Sequence, residues 1–133
     1  MKTYSIIGAI IGDIIGSVYE QINTRSTIFP LFTKRNRFTD DTVMTIAIAD
    51  WLLHGGTLPR IMQEWGEYRY PYRGYGGMFR KWLASDNPQP YNSYGNGGAM
   101  RVSPVGFYAQ TLEETLSLAR QTAMVSHNHP DGI

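Results

Sequence analysis

The amino-acid sequence predicts an all-α domain, on three observations. Apolar residues recur at helical spacing in several separate stretches, no run alternates as a half-buried strand would, and hydroxyl or proline starts and glycine stops bracket the apolar stretches. No fixed repeat and no low-complexity linker interrupts them.

The opening run begins at Met1 and Lys2 and carries Ile6, Ile7, Ile10, Ile11, Ile14 and Ile15 around Gly8, Gly12 and Gly16. Glycines four apart form one stripe on a helix. Each lowers helix propensity by up to about 1 kcal/mol relative to Ala, so three in register predict close packing against another backbone. Asp13 interrupts the run, which falls far short of the roughly 20 residues of a membrane span and is followed by no clean cleavage site. A buried helix of a cytoplasmic protein is expected here. Asp13 and Glu20, seven apart, would share a polar face of that helix, either as its solvated edge or as part of a site.

Residues 23–37 hold Pro30 and mixed charges and read as a loop. A second helix is expected over residues 40–53, stopped by Gly55 and Gly56. Thr57 then caps a third, with Pro59 in its first turn and Ile61, Met62, Trp65 and Tyr68 at helical spacing, ended by Pro71. Residues 73–77 form a loop, 78–84 a short helix, and 85–98 a longer loop containing Pro88 and Pro90. Another short helix follows from Ala99, interrupted near Pro104. Thr111-Leu112-Glu113-Glu114 is a capping box, and Leu112, Leu116, Ala119 and Ala123 then make the clearest helical stripe in the chain. Pro130 and Gly132 mark residues 126–133 as a loop.

With 133 residues, 42% hydrophobic and 17% charged, the chain can bury one core. Twelve Lys and Arg against eleven Asp and Glu leave a formal charge of +1, which argues against a polyanion-binding surface. The absence of cysteine excludes disulfides, thiolate metal sites and cysteine nucleophiles, and suits a reducing cytoplasm. Any metal must be held by oxygen or imidazole.

Chemistry concentrates in three places. Phe38-Thr39-Asp40-Asp41-Thr42 sets adjacent carboxylates at a helix start. Neighbouring carboxylates repel, so one retains its proton unless a cation or a helix N-terminus favours both ionised forms. The segment therefore reads either as an N-cap with first-turn acidic residues or as ligands for a hard cation such as Mg²⁺ or Mn²⁺. The second place is the loop Tyr91-Asn92-Ser93-Tyr94-Gly95-Asn96-Gly97-Gly98-Ala99-Met100-Arg101, whose glycines expose backbone amides before a helix start. It reads either as punctuation or as a phosphate nest, and it is not a Walker loop, because no Gly-Lys-Ser/Thr follows. In the third, His127 and His129 lie two apart and are open to metal ligation, ligand contact or a surface role.

In order along the chain, Gly8-Ala9-Ile10-Ile11-Gly12-Asp13-Ile14-Ile15-Gly16-Ser17 with Glu20, Phe38-Thr39-Asp40-Asp41-Thr42, Gly95-Asn96-Gly97-Gly98-Ala99-Met100-Arg101 and Ser126-His127-Asn128-His129-Pro130 resemble the ADP-ribosylglycohydrolase family. The resemblance implies an orthogonal multi-helix bundle around two Mg²⁺ or Mn²⁺ ions. That centre would hydrolyse the glycosidic bond between ADP-ribose and an acceptor, on an ADP-ribosylated protein or a small molecule. It makes Thr39, Asp40 and Asp41 metal ligands and Glu20 the carboxylate that activates water or gates the site, with Asp13 supporting the centre. Ser93, Tyr94, Gly95, Asn96 and Gly97 match the loop that holds the diphosphate and ribose, and His127 matches a histidine that contacts ADP-ribose. Gly74 and Gly76 would line the same cleft. Family members are longer and carry a second Asp-x-Asp-Thr/Ser cluster that this chain lacks. Residues 1–133 are therefore expected to be the N-terminal portion of one truncated domain, inactive alone. The alternative is a relative that binds ADP-ribose, or only keeps the scaffold, without turnover.

Overall fold

The computed structural model describes residues 6–133, so Met1 and Lys2 lie outside the described part. Among the described residues the chain is helical, without strands. Helix α1 (Ile7–Gly16) leads through a long irregular segment to α2 (Asp40–His54). After α3 (Leu58–Gln63) the helix widens without a break into a π-helical segment, Glu64–Arg69. Helices α4 (Gly77–Leu83), α5 (Gly97–Met100), α6 (Ser103–Tyr108) and α7 (Leu112–Met124) follow, with a 3₁₀ turn at Pro130–Gly132.

The core is built around α2, which meets α1, α3, the π segment, α5 and α6. A helix surrounded in this way is apolar or small on nearly every side. Accordingly Thr42, Val43, Met44, Thr45, Ala47, Ile48, Ala49 and Leu52 are all buried. Leu58 and Met62 from α3, Tyr75, Phe79, Trp82 and Leu83 around α4, and Val105 from α6 complete the cluster. The α2 C-terminus follows the sequence reading: the Gly55 amide donates to the Trp51 carbonyl at 2.8 Å, and Gly55 takes a positive φ of 74°.

The third helix departs from its expected α-helical course. The Tyr70 amide reaches the Trp65 carbonyl at 3.1 Å, five residues back, and the Trp65 indole donates to Asp50 on α2 at 2.8 Å. Gly66 lets this wider turn press onto the core: a Cβ there would lie 2.9 Å from both Leu83 methyls and 3.1 Å from the Met44 methyl. Buried Gln63 donates to the carbonyls of Leu83 at 2.9 Å and Ser85 at 2.7 Å, capping the end of α4.

Five further expectations need correction. Helix α1 has no buried residue, and Ile7 and Ile11 are exposed. A Cβ at Gly8, Gly12 or Gly16 would meet nothing within 4 Å, so among the described residues the glycine stripe packs against no backbone. Helix α1 also stops at Gly16, which leaves Glu20 in the turn beyond rather than on a shared helical face with Asp13. On α7, Leu112 and Leu116 are 74% and 62% exposed, and only the later part of the stripe, at Ala123, is buried. Pro104 begins α6 rather than interrupting a helix from Ala99, because its ring is suited to a first turn. The Thr111 box forms with an offset: the Glu114 amide donates to Thr111 Oγ1 at 3.1 Å, while the Glu114 carboxylate accepts from the Gln110 amide at 2.7 Å.

Gly66→Ala forces an extra methyl onto Leu83 and Met44, and urea unfolding is expected to show a loss of about 1–3 kcal/mol. Gly8→Ala, which meets nothing, is expected to be neutral or mildly stabilising in the same assay.

Candidate functional site

The site is assembled from an acidic corner at the head of α2 and the glycine loop before α5. At the corner, Asp13 reaches from α1 and accepts from the Thr39 amide at 2.7 Å, the Thr39 hydroxyl at 2.6 Å, the Thr42 amide at 3.2 Å and the Thr42 hydroxyl. A carboxylate from another helix thus satisfies α2 amides that have no partner within their own helix. Thr39 is also the N-cap, its hydroxyl accepting from the Asp41 amide at 3.3 Å. The Asp40 amide donates to the Arg73 carbonyl at 2.8 Å, which ties the corner to the loop containing Gly74 and Gly76. Gly74, at φ 102°, approaches so closely that a Cβ would lie 3.2 Å from Asp40 Oδ1.

The corner is electrostatically tense. Burial, aided by the charges of Asp41, Glu20 and Asp13, pushes the Asp40 carboxyl up to about 6. Burial, then Asp13 and Glu20, raises Asp41 as well. Glu20 is exposed but close enough for its charge to act on both. Among the described residues no Lys, Arg or His forms an ion pair with Asp13, Glu20, Asp40 or Asp41. No three His, Asp or Glu side chains converge tightly enough there to hold a metal ion by themselves.

Asp40 lines a cleft of about 310 Å³ together with Ser93, Gly95, Asn96 and Gly97 of the glycine loop, His127 and Gly76. This volume is at the small end of the range for ligand sites. The Ser93 hydroxyl accepts from the Gly95 amide at 3.2 Å and shapes the turn. Tyr94 lies elsewhere: it is 72% exposed, its ring stands 5.2 Å from that of His129, and it lines a second cavity of about 660 Å³ on the other side of the loop. His127 is buried against the loop, with Nε2 3.2 Å from the Gly95 carbonyl and Nδ1 2.9 Å from the Ser126 hydroxyl. His129 Nδ1 accepts from the Asp131 amide at 3.1 Å, so the two imidazoles face different partners and do not form a metal pair.

Met78 and Phe79 were not singled out in the sequence, and Tyr91, Met100 and Arg101 were named only as members of the glycine loop, with no cleft role of their own. Arg101 stood inside the glycine motif without a role, and a charged residue closing an otherwise small and apolar run was the signal available. Tyr91 and Phe79 carried none.

A profile of the ADP-ribosylglycohydrolase family matches residues 3–133. The chain belongs to this family. ADP-ribosylhydrolase ARH3 from Mus musculus is 30% identical over 92% of the chain, and the Homo sapiens protein of that name matches at the same identity and coverage. A solved structure, an ADP-ribosylglycohydrolase-related protein complex, superposes with a TM-score of 0.67 over 96% of the chain at 23% identity, which establishes the fold. The chain spans 42% of the mouse relative, 43% of the human one and 49% of the solved chain.

The raised Asp40 has a measurable consequence. Because its folded pKa of about 6 exceeds the ordinary 3.8, the folded state holds more protons than the unfolded one between those values. Asp40's contribution is then full below about pH 4 and is lost as pH rises through about 6. Asp40→Asn removes this dependence and, without divalent cations, is expected to stabilise the chain at pH 7 by about 1 kcal/mol after allowance for solvent screening. Denaturant titrations at pH 4 and pH 7 check both statements.

Proposed function

We propose that this chain supplies the nucleotide-sugar cleft and the first acidic cluster of a hydrolase that breaks the glycosidic bond between ADP-ribose and an acceptor. The observation that carries this reading is that Asp40 and the loop of Ser93, Gly95, Asn96 and Gly97 line one cleft. Family membership and the printed name of the ARH3 relatives support it. The substrate is an ADP-ribosylated protein or an ADP-ribose-containing small molecule, and the cysteine-free composition suits action in the cytoplasm. No helix among the described residues is long and apolar enough to cross a membrane.

The donor chemistry of the acidic corner fits Mg²⁺ or Mn²⁺, as two ions in the complete domain. It offers oxygen atoms, and two of its carboxyls are held above their usual range with no cationic side chain paired to them. Thr39, Asp40 and Asp41 would hold the metal; Thr39 still has a lone pair for this, since its hydroxyl accepts only one hydrogen bond. When bound, the metal would supply positive charge that favours both ionised aspartates and makes a nearby water easier to deprotonate. Glu20, exposed and near enough to act on their charge, would accept a proton from attacking water. The loop amides and Asn96 bind the diphosphate and adjacent ribose and orient the anomeric carbon toward the corner. Tyr94, on the outer side of the loop, acts on ligand portions that extend beyond the cleft.

The ligand set of this chain is incomplete, and the remaining ligands would come from polypeptide equivalent to the half of the relatives that it does not span. The same observation favours the second reading, recognition of ADP-ribose without turnover, for the 133 residues alone.

In the complete protein, Asp40→Ala and Asp41→Ala are each expected to reduce Mg²⁺- or Mn²⁺-dependent release of ADP-ribose to background; full turnover in both variants refutes the metal assignment. Calorimetry of the isolated chain with ADP-ribose is expected to show binding without hydrolysis, and hydrolysis would overturn the view that this chain is catalytically incomplete.

A further inference from the structure

Arg101 is 1% exposed, and among the described residues no carboxylate is paired with it. Its Nη2 instead donates to the Thr122 carbonyl and to the Ser126 hydroxyl, both at 2.7 Å, while its guanidinium carbon lies 5.6 Å from the Phe79 ring centroid and its Nε is left without a partner. Keeping a cation here is costly, so its two hydrogen bonds invite a reason. The second of them is the start of a chain of hydrogen bonds whose direction follows from valence alone.

A guanidinium only donates, so Ser126 Oγ accepts from Arg101 and is free to donate its own proton onward. A carbonyl only accepts, so the contact between His127 Nε2 and the Gly95 oxygen at 3.2 Å requires hydrogen on Nε2. The ring stays neutral, since burial first and then the Arg101 charge hold its pKa below the usual histidine value. With its single proton on Nε2, Nδ1 must accept from Ser126 at 2.9 Å. The ring is also clasped: a Cβ at Gly97 would lie 3.3 Å from Cε1, one at Gly132 3.0 Å from Cδ2, and the Tyr91 ring packs at 6.3 Å between centroids, tilted by 41°.

We propose that Arg101 and Ser126 are positioning residues that lock His127 as the Nε2–H tautomer, which holds the Gly95 carbonyl and so fixes the shape of the loop facing the cleft. The opposite tautomer would turn a nitrogen lone pair toward the carbonyl oxygen and release the loop. His127 then serves the ligand through Gly95 and Asn96, whose shared peptide it anchors. This deepens the function proposed above and rests on it only for the identity of the ligand.

Long-range ¹⁵N–¹H NMR of the full chain labelled in histidine reads the tautomer without any ligand. The expected spectrum has His127 Nδ1 unprotonated and Nε2 protonated; a protonated Nδ1 overturns the proposal and needs no variant. Ser126→Ala, with its amide spectrum confirming the fold, is expected to give mixed tautomers and about tenfold weaker binding of ADP-ribose, the effect of losing one buried hydrogen bond. Ser126→Thr, which keeps the hydroxyl, is expected to restore the single tautomer and most of the affinity. An unchanged tautomer in Ser126→Ala overturns the lock. If the wild-type chain shows the expected tautomer and loses it in Ser126→Ala, yet binds no ADP-ribose, the lock stands and the ligand assignment falls.

Discussion

The Asp13 carboxylate at the head of α2 is the constraint on which the rest of the structure depends. It gathers the amides and hydroxyls of Thr39 and Thr42, and thereby sets the start of the central helix, the orientation of its N-cap and the direction in which Asp40 and Asp41 leave the backbone. It also attaches α1, a helix with no buried residue of its own, to the core. Ser17 and Asn36 reinforce the link: Asn36 Nδ2 donates to the Ile14 carbonyl at 2.7 Å, and Ser17 Oγ accepts from the Arg37 amide at 3.1 Å. Apolar burial supplies most of the folding free energy elsewhere, but here polar contacts with defined directions decide the geometry.

The same arrangement sets stability against function. Asp13 satisfies the helix start, yet its charge adds to that of Glu20 in raising Asp40 and Asp41. A chain selected only for stability would replace Asp40 with a neutral residue. Retaining partly buried carboxylates at one corner is the pattern expected where a site needs negative charge concentrated before its ligand arrives.

How much of this was legible in the sequence varies with the length scale of the cause. Local signals read correctly: Thr39 and Thr111 cap their helices, Gly55 ends α2, and the glycine run precedes a helix start, because each depends on neighbours a few residues away. The exposure of Gly8, Gly12, Leu112 and Leu116 was not legible, since periodicity reports that a face is apolar and not that the chain contains an element to cover it. The π-helical widening depends on Gly66 meeting Leu83 and Met44, contacts with no local trace. At the site, the acidic pair, the glycine loop and His127 could be named from residue type and order. What each does in space could not: Glu20 lies past the end of α1, Tyr94 faces the outer cavity, and His127 is turned inward to Gly95. Arg101 illustrates the limit most clearly, because a buried arginine without a carboxylate is the opposite of what composition leads one to expect.

The cleft sets two charged side chains, Asp40 and Arg101, in a lining that is otherwise largely apolar or glycine. Asp40, its carboxyl raised by burial, lines the cleft, and so does Arg101, with which no carboxylate among the described residues forms an ion pair. Burial pushes the Arg101 pKa down only to about 10, so it remains charged at neutral pH. On the function proposed above, an anionic diphosphate would be drawn toward the loop and Arg101, and the neutral sugar left toward the acids. In that proposal the glycine loop would add backbone amides, which carry no charge to be screened and keep their direction only while the loop keeps its shape. Under the proposed function, electrostatics would set which way a ligand enters, and the shape of the Gly95 to Gly97 backbone, held by His127 at Gly95, would set how closely it approaches Asp40.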